Sequence, residues 1–183
     1  MGQAAVHKQN LVRSAMRLFR RQGFASTGLQ QILEESGAPR GSLYHYFPSG
    51  KEALGEAAVE LAGRLMRETL EELGARHAAP AAFLRAWCRT LAGWMEESDF
   101  RSGCPIATTL LETAPASPAI TRAGRRALDG WVDVVAGVLT RDGRPAREAR
   151  RQARLLVAAM EGALLLARVH RSTRPILDVA TLL

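Results

Sequence analysis

Apolar positions along this chain recur at three- and four-residue intervals, and no run of Val, Ile, Thr and aromatic residues alternates as a strand would. Over residues 6–22, Leu11, Ala15, Leu18 and Phe19 fall on one stripe with Val12 and Met16, and Gly23 ends the pattern. Thr27 precedes a short pattern that runs to about Ser36 with Leu29, Ile32 and Leu33 turned inward. Gly37 supplies a turn, and Pro39 pre-sets the first turn of a second short pattern over 40–47. After the break at Pro48, Ser49 and Gly50 come five longer patterns, at 51–74, 80–98, 106–112, 118–141 and 145–169, and a last short one follows Pro175. The spacing predicts an all-α chain of about nine helices. A three-helix module over 1–50 would precede a helical bundle over 51–183, with the 51–74 helix joining them.

Ala, Leu and Arg dominate the 183 residues, while aromatics make up 5%, which reinforces the all-helical reading. Hydrophobic residues at 47% and charged ones at 23% are the balance of a soluble globular protein. The first ten residues hold no apolar run suited to a signal peptide, so a cytoplasmic location is expected. The longest apolar stretch, 155–167, is interrupted by Glu161 and is shorter than the roughly 20 residues that cross a bilayer. Cys88 and Cys104 are too few for a disulfide scaffold and have no metal-ligand spacing with His7, His45, His77 or His170. No metal or cofactor is expected. Paired carboxylates, a nucleophile beside a base and a phosphate-binding Gly loop are also missing, which argues against an enzyme.

The formal net charge of +7 is unevenly placed. Residues 1–54 hold seven basic and three acidic side chains, and the longer remainder holds 18 and 15. A positive amino end suits a phosphate-binding module. Two short helices joined by a Gly turn have the spacing of a helix-turn-helix, whose second helix must pack inward on one side and meet the major groove on the other. Leu43 and Phe47 fit the inner side. Arg40, Gly41, Ser42, Tyr44 and His45 remain for DNA, with Arg40 able to give two hydrogen bonds to a guanine edge. Thr27 and Lys51, each at a helix start, are expected at phosphates, although Thr27 also fits a plain N-cap and Tyr46 a packing role.

The stretch GFASTGLQQILEESGAPRGSLYHYFPSGKEAL, residues 23–54, resembles the TetR family signature. It has the Gly-aromatic pair, Thr cap, inward Ile, turn Gly, Gly-Ser-Leu-Tyr recognition helix and Lys-acid helix start. Gly28 and Pro39 depart from the usual pattern, where a larger residue and a Ser or Thr are common. FPSGK, GCPIATTLLE (103–112) and MEGALLLAR (160–168) are similar to the branch of lincomycin-resistance and flavonoid-responsive repressors. The resemblance implies a homodimeric repressor that holds palindromic double-stranded operator DNA at a drug-efflux or detoxification gene until a small molecule releases it. A constitutive DNA-binding protein and a small-molecule-binding helical enzyme are the competing readings.

It further implies an effector pocket and a dimer interface in the carboxyl-terminal helices. Phe83, Trp87, Leu91, Trp94 and Met95 recur at helical spacing, and Ile106 and Leu110 follow the GCP loop. With Trp131 and Met160 they suit a small hydrophobic effector, flat aromatic ones included, and suit an ordinary filled core equally well. The run 155–167 is apolar almost all round, which calls for burial on both sides: the chain's own core on one, a second subunit on the other. Leu156, Ala159, Ala163 and Leu166, with Ile176 and Val179 from the final helix, are the expected interface, and Gly162 permits close approach. Glu161 is expected to bind either a ligand or a neighbouring helix. Cys104, before Pro105, fits either a redox-sensitive thiol or a small packed hydrophobe.

Overall fold

The structure is a computed structural model that describes residues 3–183, with side chains from residue 5 onward; Met1 and Gly2, at the start of the expected 1–50 module, lie outside the described residues. Among the described residues the chain is helical, with no strand. The helices are α1 (Gln3–Gln22), α2 (Leu29–Ser36), α3 (Arg40–Tyr46), α4 (Lys51–Arg76), α5 (Pro80–Glu97), α6 (Pro105–Thr113), α7 (Pro118–Arg141), α8 (Ala146–His170) and α9 (Arg174–Asp178), closed by a 3-10 turn at Val179–Leu182. The expected all-α architecture therefore holds element by element. One cap differs: α2 begins at Leu29, and its N-cap is Gly28 in place of Thr27.

Packing groups the residues into two units. The first takes Met1–Arg64 with Pro105–Ala127, and the second takes Leu65–Cys104 with Leu128–Leu183. These units cut the chain differently from a division at residue 50, because α6 and the opening of α7 fold back onto the amino-terminal helices. Periodicity within one helix carries no information about that return.

In the first unit, Leu11, Ala15, Leu18 and Phe19 of α1 meet Ile32 and Leu33 of α2, Leu43 of α3, Phe47, and Leu54 and Ala58 of α4. Gly37 closes α2 at φ 64°, a left-handed turn that favours glycine, and donates its N–H to Leu33 O. Polar ties hold α1 to α2: Arg17 Nε donates to Glu35 Oε1 at 2.8 Å, and Gln22 Nε2 to Gln31 Oε1 at 2.8 Å. Arg126 of α7 spans α4 carboxylates, at 2.7 Å from Glu60 and 4.0 Å from Glu56. In the second unit the interior is built from α5, α7, α8 and α9, with Leu84, Cys88, Val135, Leu139, Ala153 and Ala167 buried.

Two glycines make the packing testable. A Cβ at Gly63 of α4 would lie 2.6 Å from Ala127 Cβ, whereas one at Gly93 of α5 would meet nothing within 4 Å. Alanine gains about 0.5–1 kcal/mol over glycine in a helix, and forcing a methyl into a packed contact costs about 1–3 kcal/mol. Gly63→Ala should therefore lower the melting temperature and Gly93→Ala raise it, as followed by circular dichroism.

Candidate nucleic-acid interface and apolar interior

Seven residues make α3, and the chain around them limits what each can do. Pro39 is its N-cap at ψ 141°, and Phe47 closes it by donating its N–H to Leu43 O at 2.8 Å. Leu43 and Phe47 are buried, as expected for the inward side. Arg40, Gly41, Tyr44 and His45 are exposed and Ser42 is half-buried, so the side left over is polar and basic. Tyr44, at 60% exposure, presents a whole phenol outward in place of packing. Arg40 Nη2 donates to Gln30 Oε1 of α2 at 3.1 Å, which holds the guanidinium before any partner arrives. Gln30 was not among the residues singled out from sequence, since one exposed Gln on a short helix carries no distinguishing pattern. Tyr46 is partly buried against the core and stacks edge-on with His45 at 4.7 Å, in keeping with a packing role.

Two of the expected phosphate contacts have tasks inside the chain. Thr27 is fully buried, and its Oγ1 donates to Gly23 O at 2.7 Å. It therefore braces the α1–α2 turn from within, and the N-cap reading is corrected because Gly28 occupies that position. Lys51 Nζ donates to Ala25 O at 3.0 Å and lies 4.6 Å from the centre of the Phe24 ring. Its burial lowers the ammonium pKa, an effect opposed by the charge of Glu112. An ammonium carries three donors, so the bond to Ala25 O leaves the expected phosphate contact of the half-buried Lys51 open.

With this geometry in view, residues 11–58 match the family described as bacterial regulatory proteins, tetR family. Residues 80–182 match the C-terminal domain of LmrA/YxaF-like transcriptional regulators. The chain belongs to the TetR family. Its relatives include the HTH-type transcriptional regulator YxaF of Bacillus subtilis (strain 168), 30% identical over 173 residues that cover 94% of this chain and 91% of that protein. The HTH-type transcriptional regulator LmrA of the same organism is 30% identical over 174 residues, 95% of this chain and 93% of that protein. Among solved structures, the regulatory protein TetR from Rhodobacter sphaeroides superimposes with a TM-score of 0.84 at 25% identity, covering 96% of each chain. This TetR-family chain is thus a DNA-binding transcriptional regulator of the LmrA/YxaF-like kind, and the family's members are regulators rather than enzymes. Among the described residues no helix is long and apolar enough to cross a membrane.

The residues expected around an effector divide between the two units. Ile106 is buried and Leu110 half-buried within the first, where Leu110 Cδ1 would sit 2.6 Å from a Cβ on Gly124. In the second, Phe83, Trp87, Leu91 and Met95 of α5 are buried with Trp131 of α7 and Met160 of α8, while Trp94 is partly exposed. The Phe83 and Trp87 rings lie 6.3 Å apart. Trp87 Nε1 is buried and has no hydrogen-bond partner. Such an unspent donor is costly in an apolar interior unless something else accepts from it. Glu161 of α8 adds a carboxyl group whose pKa is raised by burial, a shift that a hydrogen bond with the Cys104 side chain moderates. The Cys88 thiol is pushed up to about 11 by burial, which makes it a small packed hydrophobe.

On α8 the apolar run separates into two faces. Leu156, Val157, Met160, Ala163, Leu164 and Ala167 are buried in the second unit, as are Ile176 and Val179. Leu155, Ala158, Gly162, Leu165, Leu166 and Val169 are exposed at helical spacing, with Leu177 and Leu182 exposed beyond them. Of the expected interface residues only Leu166 is exposed, with Ala159 intermediate. Leu156, Ala163, Ile176 and Val179 fill the chain's own core, which corrects their assignment. A segment apolar all round carries no phase, so sequence reports two apolar faces without saying which one the chain's own core takes.

Glu161 makes the pH dependence predictable. Its carboxyl holds its proton above the ordinary value near 4.5 when folded, so the folded state binds more protons than the unfolded one. Stability contributed by the protonated group is full below that value and is lost as pH rises through the folded pKa. Glu161→Gln should remove this decline and raise the melting temperature at neutral pH relative to the wild type, a difference that vanishes near pH 4. Parallel curves for both proteins from pH 4 to 8 would place the charged carboxylate in a solvated setting.

Proposed function

We propose that this regulator is a homodimeric repressor that binds a palindromic operator through α3 and is released from it by a small hydrophobic effector, aromatic ones included, taken into the second unit. The observation that carries the reading is the exposed polar side of α3, where Arg40, Tyr44 and His45 stand outward while Leu43 and Phe47 anchor the helix. A helix so held enters a major groove, with Arg40 at a base edge and Ser42, Tyr44, His45 and the Gly41 backbone at bases or phosphates. Thr27 shapes the turn behind this face, and Lys51, tied to the same turn, has further ammonium donors for a phosphate.

The exposed stripe on α8 supports the dimer. Leucines at 59% and 64% exposure, Leu155 and Leu165, belong to a contiguous apolar strip that a second copy would cover. Two copies bring two recognition helices to one duplex, with half-sites about 34 Å apart as successive major grooves require. The Trp87 N–H, without a partner among the described residues, and the carboxyl of Glu161, whose pKa burial raises, support an effector site that is mainly apolar with a few polar groups. The effector acts by binding more tightly to the released state than to the DNA-holding state, with α4, which runs through both units, as the connecting element. A drug-efflux or detoxification gene is the fitting target.

Arg40→Ala should weaken binding to the operator by about 1–3 kcal/mol per half-site and relax preference at one symmetric base position, while leaving a scrambled duplex nearly unaffected. Fluorescence anisotropy on both duplexes measures it. Equal losses on the two would reduce Arg40 to a phosphate contact. For the dimer, sedimentation at micromolar concentration should give two copies for the wild type and one for Leu165→Glu, with helix content unchanged. A monomeric wild type would remove both the interface and the two-groove arrangement.

A further inference from the structure

Glu112 stands near the end of α6, and its carboxylate reaches the turn between α1 and α2 within the first unit. Its oxygens accept from Phe24 N–H at 3.2 Å and from Ala25 N–H at 2.5 Å. Gly23 opens this turn at φ +90°, and a Cβ there would lie 2.2 Å from Glu112 Oε1. Glycine is therefore needed twice over, for its backbone and for the space that the carboxylate occupies. Lys51 completes the group by donating to Ala25 O at 3.0 Å, with the Glu112 charge acting on its ammonium. Two successive amides beside a cation form an anion cradle, and a carboxylate held by charge-assisted bonds is a strong tie.

We propose that Glu112 is a positioning residue for the DNA-reading helices, locking the α1–α2 turn to α6 so that a displacement of α6 and a reorientation of α2 and α3 are one event. The turn ends at Gly28, the N-cap of α2, so its attitude sets where α2 starts. Gln30 on α2 in turn holds Arg40 of α3, which gives the carboxylate a short route to the reading face. The coupling rests on the assignment of α3 to DNA; the tie between Glu112 and the two amides does not.

Residue-resolved amide hydrogen exchange on the full chain tests both parts. In the free protein, Glu112→Gln keeps the side-chain size but has a single oxygen, so Phe24 or Ala25 should exchange about ten- to a hundredfold faster. Ile32 and Leu43 should keep their wild-type rates, which marks the head as folded. Should that variant fail to fold, Glu112→Asp keeps the charge with a shorter reach and should speed exchange at the same two amides. A duplex selected by the wild type from a random-sequence library is then added. It should slow exchange across residues 106–113 in the wild type, and that response should fall away in a variant that still binds the duplex. Unchanged Phe24 and Ala25 rates would overturn the tie. An α6 response equal in both proteins, or absent from the wild type, would overturn the coupling. A duplex that leaves α3 unprotected would instead overturn the DNA-face assignment, with the free-protein rates still deciding the tie.

Discussion

A helix meant for a DNA groove must give up half its circumference to a partner that is not yet there. With seven residues, α3 has two buried anchors, Leu43 and the capping Phe47, and little else of its own to hold it. Everything that fixes its direction comes from neighbours. Leu11, Leu18, Phe19 and Ile32 supply the apolar bed, Arg17–Glu35 and the Gln22–Gln31 amide pair hold α1 to α2, and Gln30 steadies Arg40. Exposed ion pairs are individually weak, so the ordering rests on their arrangement around one apolar cluster rather than on any single pair.

Helix existence was legible because it depends on local spacing, and each of the nine patterns became a helix in the described structure. Turn chemistry was legible too, as at Gly37, where a left-handed residue is required. Side-chain tasks were less so, because they depend on distant partners. Thr27 has the composition of an N-cap, yet Gly23 O lies within reach of its hydroxyl and the helix begins two residues later. Lys51 sits at a helix start as expected, and its Nζ also donates to Ala25 O and lies 4.6 Å from the centre of the Phe24 ring. The Lys51 outcome depends on how α4 returns to the α1–α2 turn, whereas that of Thr27 depends on the conformation of the turn itself, its acceptor being four residues earlier.

The apolar run of α8 marks a different boundary. Its composition announces two apolar faces, one of which the chain's own core covers, and the two sets of residues differ by a rotation that sequence cannot supply. Burial of Leu156, Ala163, Ile176 and Val179 against exposure of Leu155, Leu165 and Val169 decides it. The same limit applies to Phe83 and Trp87, where helical spacing fits a filled core and a binding cavity equally. A chemical lead there is the indole N–H of Trp87, buried without an acceptor among the described residues, which suits the effector site proposed above.

The connecting helix α4 is held by two kinds of interaction. In its opening half, Glu52 accepts from Ser117 Oγ and Glu60 pairs with Arg126, so tertiary contacts with α7 fix it within the first unit. In its closing half, Arg67 pairs with Glu71 and Arg76 with Glu72, each one turn apart along the same helix. Pairs of this second kind favour the helical form by about 0.2–0.5 kcal/mol each, since both partners travel with the segment. The closing half has tertiary anchors as well, since Leu70 is fully buried and Arg141 of α7 donates to Gly74 O at 3.4 Å. Packing therefore fixes α4 along both halves, and the one-turn pairs are a small local addition to it.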